Sequence, residues 1–199
     1  MITDPYFYAV TIPAVLLLGI SKSGLGAGFG SLAVPMMALA VTVPQAAAIL
    51  MPVLLLMDVL GIAAFRKDFD HTLLRFILPP KWLGAVLSTL SGFTSFVAHA
   101  GGPPINAYVI PLKLSPIRFT ATMAFFFFVV NLCKWIPYAW LGLLDWRNLA
   151  TSLVLLPVAP LGVLVGVRLA RRISQVLFYR FVYVGMFLTG VKLVWDALR

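Results

Sequence analysis

Apolar residues run almost without interruption through this chain, and the places where they stop define its elements. Tyr6 to Ile20 is an apolar stretch of 15 residues, and Ser31 to Val43 is shorter still. Neither alone matches the roughly 20 residues that one helical membrane crossing needs. Between them lies Gly19-Ile-Ser-Lys-Ser-Gly-Leu-Gly-Ala-Gly-Phe-Gly30, with five glycines and a lysine. Two short segments around such a run predict half-helices that meet near the membrane centre. Pro44 then opens a clean span from Gln45 to Phe65, in a first turn where its missing N–H costs nothing. Arg66 to Arg75 is the first polar loop. Lys81 to Ala98 predicts another apolar helix. It runs into a second break, Gly92-Phe-Thr-Ser-Phe-Val-Ala-His-Ala-Gly-Gly-Pro-Pro104, and a short segment from Pro103 to Leu112 follows. Phe119 to Leu141, Leu149 to Val167 and Val176 to Trp195 predict full-length spans.

Composition fits that pattern. Of 199 residues 62% are hydrophobic and 11% charged, with a mean hydropathy of +1.03, which leaves too little polar surface to clothe a soluble globule. No charged side chain lies between Lys22 and Asp58, and His99 is the one ionisable group between Lys81 and Lys113. The net charge of +9 does not point to nucleic acid, because the basic residues are scattered apart from Arg168, Arg171, Arg172 and Arg180. In a polytopic protein such a cluster marks a cytoplasmic loop. The N-terminus has no basic region before its apolar run and does not read as a cleaved signal peptide. The single cysteine, Cys133, reads as a packed small hydrophobe.

The two halves form an internal repeat. A shift of about 73 lays Gly19 on Gly92, Gly28 on Gly101 and Asp58 on Asn131. Small gaps then bring Asp70 onto Asp145, Leu78-Pro79 onto Leu156-Pro157, and Gly84 onto Gly162. The charge pattern makes the relationship inverted. Arg66, Lys67, Lys113, Arg118 and Arg168 to Arg172 are expected in the cytoplasm, with Asp145 and both termini outside. The expected fold is therefore an all-α polytopic membrane protein of two inverted repeats with broken re-entrant helices, residues 1–91 and 92–199. About 30 residues are missing from the first repeat near Ser88, so Lys81 to Ala98 serves both repeats. Gly162 and Gly166 form a GxxxG pair suited to close helix packing.

The breaks hold the candidate chemistry. Lys22 is an ionisable residue in an apolar setting, which points equally to a functional charge and to an ion pair with Asp58. Ser23, Gly24, Gly26, Gly28, Gly30 and Ser31 belong to an anion site if a half-helix starting near Ser31 aims its free N–H groups at the membrane centre. Close helix packing through small residues is the competing reading. At the second break, His99 is placed to hydrogen-bond an anion or carry a proton, or else is a packed neutral imidazole. Gly101 and Gly102 line the same break, and Thr94, Ser95 and Asn131 offer neutral donors. No metal or cofactor is expected, since His71 is the only other histidine and lies in a polar loop. No strand precedes the glycines and no GxxxxGK[ST] run exists, so nucleotide binding finds no support. No catalytic pair can be proposed from spacing, and the chain does not read as an enzyme.

Gly24-Leu-Gly-Ala-Gly-Phe-Gly30 leading to Val34-Pro35, together with the second break leading to Tyr108 and Pro111, resembles the sulfite exporter TauE/SafE family of membrane transporters. The resemblance implies two inverted helical repeats and export of sulfite, sulfonates or other small organic acids across the bacterial inner membrane. The expected partners are a small anionic substrate and membrane lipid, and homodimers are common in this class of protein. A channel-like anion pore and a degenerate, non-transporting membrane protein are the alternatives.

Overall fold

The computed structural model of the protein describes residues 1–26, 29–68 and 81–198, and among these every regular element is a helix. Gly28, the Asp70 and Leu78-Pro79 landmarks of the repeat, and His71 lie outside the described residues.

Helix α1 runs Pro5–Gly24, started by Asp4, whose carboxylate accepts the Tyr6 N–H at 2.9 Å. A 3-10 turn, Phe29–Leu32, and a five-residue helix α2, Ala33–Met37, follow it. This corrects the expected half-helix from Ser31 to Val43. So short a helix sums few peptide dipoles, and it offers no anion site of its own at Ser31. Helix α3, Val43–Phe65, begins at a Thr42 cap with Pro44 in its first turn, as its sequence predicts. Helix α4 is Lys81–Ala98 and α5 is Gly102–Val109, the latter extended by a 3-10 turn, Ile110–Leu112. Two of the first three residues of α5 are Pro103 and Pro104, which have no N–H, so its N-terminus is poor in backbone donors. Helix α6 spans Pro116–Trp140. The expected single span from Leu149 to Val167 is instead two helices, α7 (Trp146–Leu155) and α8 (Val158–Arg172), bent by 48°. Pro157, at the break, has no N–H to donate to the carbonyl of the preceding turn, which interrupts the helical ladder there. Helix α9, Gln175–Ala197, closes the chain behind a Ser174 cap.

Helices α3 and α6 run antiparallel. Ala47, Ala48 and Met51 near the start of α3 pack on Tyr138 near the end of α6, and Phe65 at the end of α3 packs with Ala121 near the start of α6. Helix α1 lies against α8 at backbone distance. A Cβ on Gly19 would fall 2.9 Å from Gly162 Cα, and one on Gly24 would fall 2.5 Å from Gly166 O, so only glycine fits at these crossings. At one end of the molecule Ile2 N–H donates to Thr151 Oγ1 (3.1 Å) and Gln45 Nε2 to Asn148 Oδ1 (3.4 Å). At the other, Arg171 donates to Ala64 O (3.0 Å) and Gln175 Nε2 to Lys113 O (2.9 Å).

Among the described residues three helices, α1, α3 and α6, are long and apolar enough to cross a membrane, and the bent α7–α8 pair makes a fourth if counted as one span. Large apolar side chains stand exposed along α4 (Trp82, Val86, Phe93), α6 (Leu132, Ile136, Trp140) and α9 (Phe187, Val191, Val194). Such continuous apolar faces suit lipid, not water. Cys133 is on this outer surface of α6 and is exposed, so it is not the packed hydrophobe its sequence setting suggests.

Candidate functional site

Breaking a helix inside an apolar protein frees backbone groups that must find partners. Here the two breaks supply them to each other and to themselves. Asn106 Nδ2 on α5 donates to Gly26 O across the molecule at 3.1 Å, so the first break is tied to the second. Within the second, Ser91 Oγ donates to Gly101 O at 2.6 Å, and the N–H groups of His99 and Ala100 donate to the carbonyls of Ser95 and Thr94. Gly26 turns the chain with φ +67°. The corresponding turn of the second break is made by His99 at φ +53°, in a left-handed region that non-glycine residues seldom enter.

The charged groups of the site come from α1, α3 and α6. Lys22, in the last turn of α1, pairs with Asp58 of α3 at 2.5 Å, and both are buried. Asn131 Nδ2 of α6 donates to the other oxygen of Asp58, also at 2.5 Å. Asp58 and Asn131 are the two residues that the repeat lays on one another. One helical turn further along α6, Lys134 Nζ donates to the carbonyl and the hydroxyl of Ser95, each at 3.1 Å. Lys134 is buried too, and it acts electrostatically on Asp58, Lys22 and His99. Both His99 ring nitrogens are buried and, among the described residues, have no hydrogen-bond partner.

Of these groups Lys22, Asn131, Ser95 and His99 line a cavity of about 30 Å³, counted as the space open to the centre of a water-sized sphere, and Asp58 and Lys134 stand behind them. Of the residues singled out in the sequence, Lys22, Gly30, Ser31, Ser95, His99, Gly102 and Asn131 line it. The others sit elsewhere. Gly24 is seated on Gly166, and Ser23 lies at the same α1–α8 crossing, where its Cβ is 3.0 Å from the Cβ position of Gly166. Gly26 packs against Val182, Phe119 and Phe178, while Gly101 is pressed on Ser91 and Ser95. The Thr94 hydroxyl is used within its own helix, donating to Leu90 O at 2.9 Å.

Sequence inspection missed several neighbours. Leu18, Leu54 and Phe127 form the apolar part of the lining, and the Phe127 ring centroid lies 5.5 Å from Lys22 Nζ. Thr189 of α9 hydrogen-bonds Ser31 through the two hydroxyls. Nothing in the pattern marks these positions. Lys134 is different, because an ammonium group inside an apolar span is the same signal that singles out Lys22. Among the described residues no group of three or more His, Cys, Asp or Glu is arranged to hold a metal.

Residues 79–193 match the family model described as sulfite exporter TauE/SafE, which takes in the second break and everything after it into the last turns of α9. Comparison with curated proteins and with solved structures returns no match. With more than half of its length matched, the chain belongs to the sulfite exporter TauE/SafE family and is a membrane transport protein.

Proposed function

We propose that the chain carries small sulfur oxyanions, sulfite foremost, out across the bacterial inner membrane through the cavity between its two helix breaks. The observation that carries this reading is that both breaks line one small cavity where Lys22 stands beside neutral donors. The arriving oxyanion competes with Asp58 for the Lys22 ammonium, and the Asn131 bond holds the carboxylate in place while it does so. Ser31, Ser95 and His99 surround the remaining oxygens. A cavity needs about 10–15 Å³ by the same measure to hold one water. The space here therefore suits an anion of a few heavy atoms and excludes nucleotides. An inside-negative potential favours export by about 2.3 kcal/mol per charge per 100 mV.

Alternating access in this reading comes from inverted repeats. Helices α3 and α6 start 73 residues apart, at Val43 and Pro116, behind the caps Thr42 and Ser115. The two left-handed turns, Gly26 and His99, are separated by the same interval, as are the touching pair Asp58 and Asn131. Equivalent residues that meet across antiparallel helices are what a two-fold relation in the membrane plane requires. The first repeat is the shorter, and the boundary at 91/92 falls within α4.

Sulfite efflux from vesicles reconstituted with the purified protein tests the proposal. Efflux is expected to saturate with internal sulfite and to fall at least about tenfold in Lys22→Ala, the loss of one charged hydrogen bond to the ligand. Efflux that never saturates would instead favour a pore, and efflux equal to that of empty vesicles would exclude transport.

A further inference from the structure

The cavity is flanked by one more ammonium group than its ion pair uses. Lys22 and Asp58 neutralise each other at 2.5 Å, whereas Lys134, 4% exposed, has no carboxylate bonded to it among the described residues and rests on the carbonyl and hydroxyl of Ser95. Ser95 lines the cavity, and its hydroxyl accepts from Lys134, which leaves its own proton to point at whatever occupies the space. With both lysines and the aspartate ionised, they amount to a single net positive charge in a water-poor interior.

We propose that Lys134 is the second cation of the anion site, acting through Ser95, and that Asp58 offsets one of the two ammonium charges so that the site accepts an anion of single negative charge. This rests on the cavity being an anion site. Its physical basis is that an uncompensated charge inside the membrane is costly. A monoanion brings Lys22, Lys134, Asp58 and ligand to zero, whereas a dianion leaves one negative charge unmatched. Hydrogensulfite, alkanesulfonates and simple carboxylates meet the condition; sulfate does not. In this arrangement Asn131 has a second role, because its bond to Asp58 stabilises the carboxylate in the ionised form on which the charge count depends.

Methanesulfonate and sulfate separate charge from shape, since both are tetrahedral, of similar size and fixed in charge near neutral pH. Their affinities for the purified full chain in nanodiscs, measured by calorimetry, are expected to differ at least about tenfold in favour of methanesulfonate. Lys134→Met, with net charge zero, is expected to weaken methanesulfonate by a similar factor, and Lys134→Arg to retain it. Asp58→Asn raises the net charge to two and is expected to turn the preference toward sulfate. The double variant Asp58→Asn/Lys134→Met returns the count to one and is expected to restore methanesulfonate. If Asp58→Asn does not give a cooperatively melting protein, the Met and Arg variants of Lys134 decide the matter alone. Methanesulfonate binding that Lys22→Ala abolishes but Lys134→Met leaves unchanged would overturn this proposal and spare the transport reading. Binding of neither anion, nor of sulfite, to folded wild-type protein would overturn both.

Discussion

His99 holds a left-handed backbone conformation that costs an L-residue roughly 1 kcal/mol, and the equivalent turn of the first break uses Gly26. A histidine at this turn, with both ring nitrogens buried beside a cavity, fits the anion-binding role proposed for the imidazole. Replacing it with the glycine found at the other break separates strain from function. His99→Gly is expected to leave thermal stability within about 1 kcal/mol of wild type, relief of strain being offset by the freer unfolded chain. Sulfite efflux is expected to fall about tenfold, as for loss of one hydrogen bond to a charged ligand. Efflux at the wild-type rate in a stable His99→Gly protein would make the imidazole a packing group. Lys22 and Asp58 show how far single residues can be read in advance. Isolation in apolar sequence marks Lys22 equally as a functional charge and as an ion-pair partner of Asp58, and the same isolation holds for Lys134, which lies outside both glycine breaks.

At the scale of elements, glycines divide into two kinds that composition alone does not separate. Gly19, Gly24, Gly162 and Gly166 let α1 and α8 touch through their backbones, while Gly30 and Gly102 open the cavity wall. For the first kind a Cβ would meet the backbone of a helix more than 130 residues away, which is not visible in a local motif. Gly166→Leu would drive its side chain into Ile20 O at 2.9 Å and Gly24 N at 3.1 Å, neither of which can yield as a side chain does. The expected loss is about 1–3 kcal/mol, read as a lowered melting midpoint in detergent. Gly92→Leu, where a Cβ meets nothing within 4 Å, is expected to leave the midpoint unchanged. Equal effects at both positions would remove the close crossing from the account. Of the helix starts, the one at Pro44 is legible in the sequence; Asp4, Asp145 and Ser174 also cap helices through local chemistry, but in the sequence Asp145 reads as a loop residue and the next span as starting at Leu149. The short returning segments were less so, because Ser31 to Val43 is apolar enough for a half-helix but is held as a 3-10 turn and a five-residue helix.

Across the whole molecule, the arrangement is two interrupted hairpins joined at their tips by Asn106 and Gly26, with α3 and α6 crossing behind them at Asp58 and Asn131. The interval of 73 residues that relates these parts is legible in the sequence from glycines and one acidic position. What it cannot convey is that Asp58 and Asn131 touch, since contact depends on how α3 and α6 pack. The asymmetry is equally physical. Gly19 is covered by α8, whereas a Cβ on Gly92 would meet nothing within 4 Å among the described residues. The central claim, that one anion occupies the space between both breaks, is tested most directly by chemical protection. In a Cys133→Ala background, which removes the single exposed native thiol, Ser31→Cys places a thiol at the first break and Ser95→Cys at the second. The rate of maleimide alkylation is then followed with and without methanesulfonate. The account predicts that the anion slows alkylation at both positions over the same concentration range. Protection at one break only, or at neither while the anion is still transported, would contradict it.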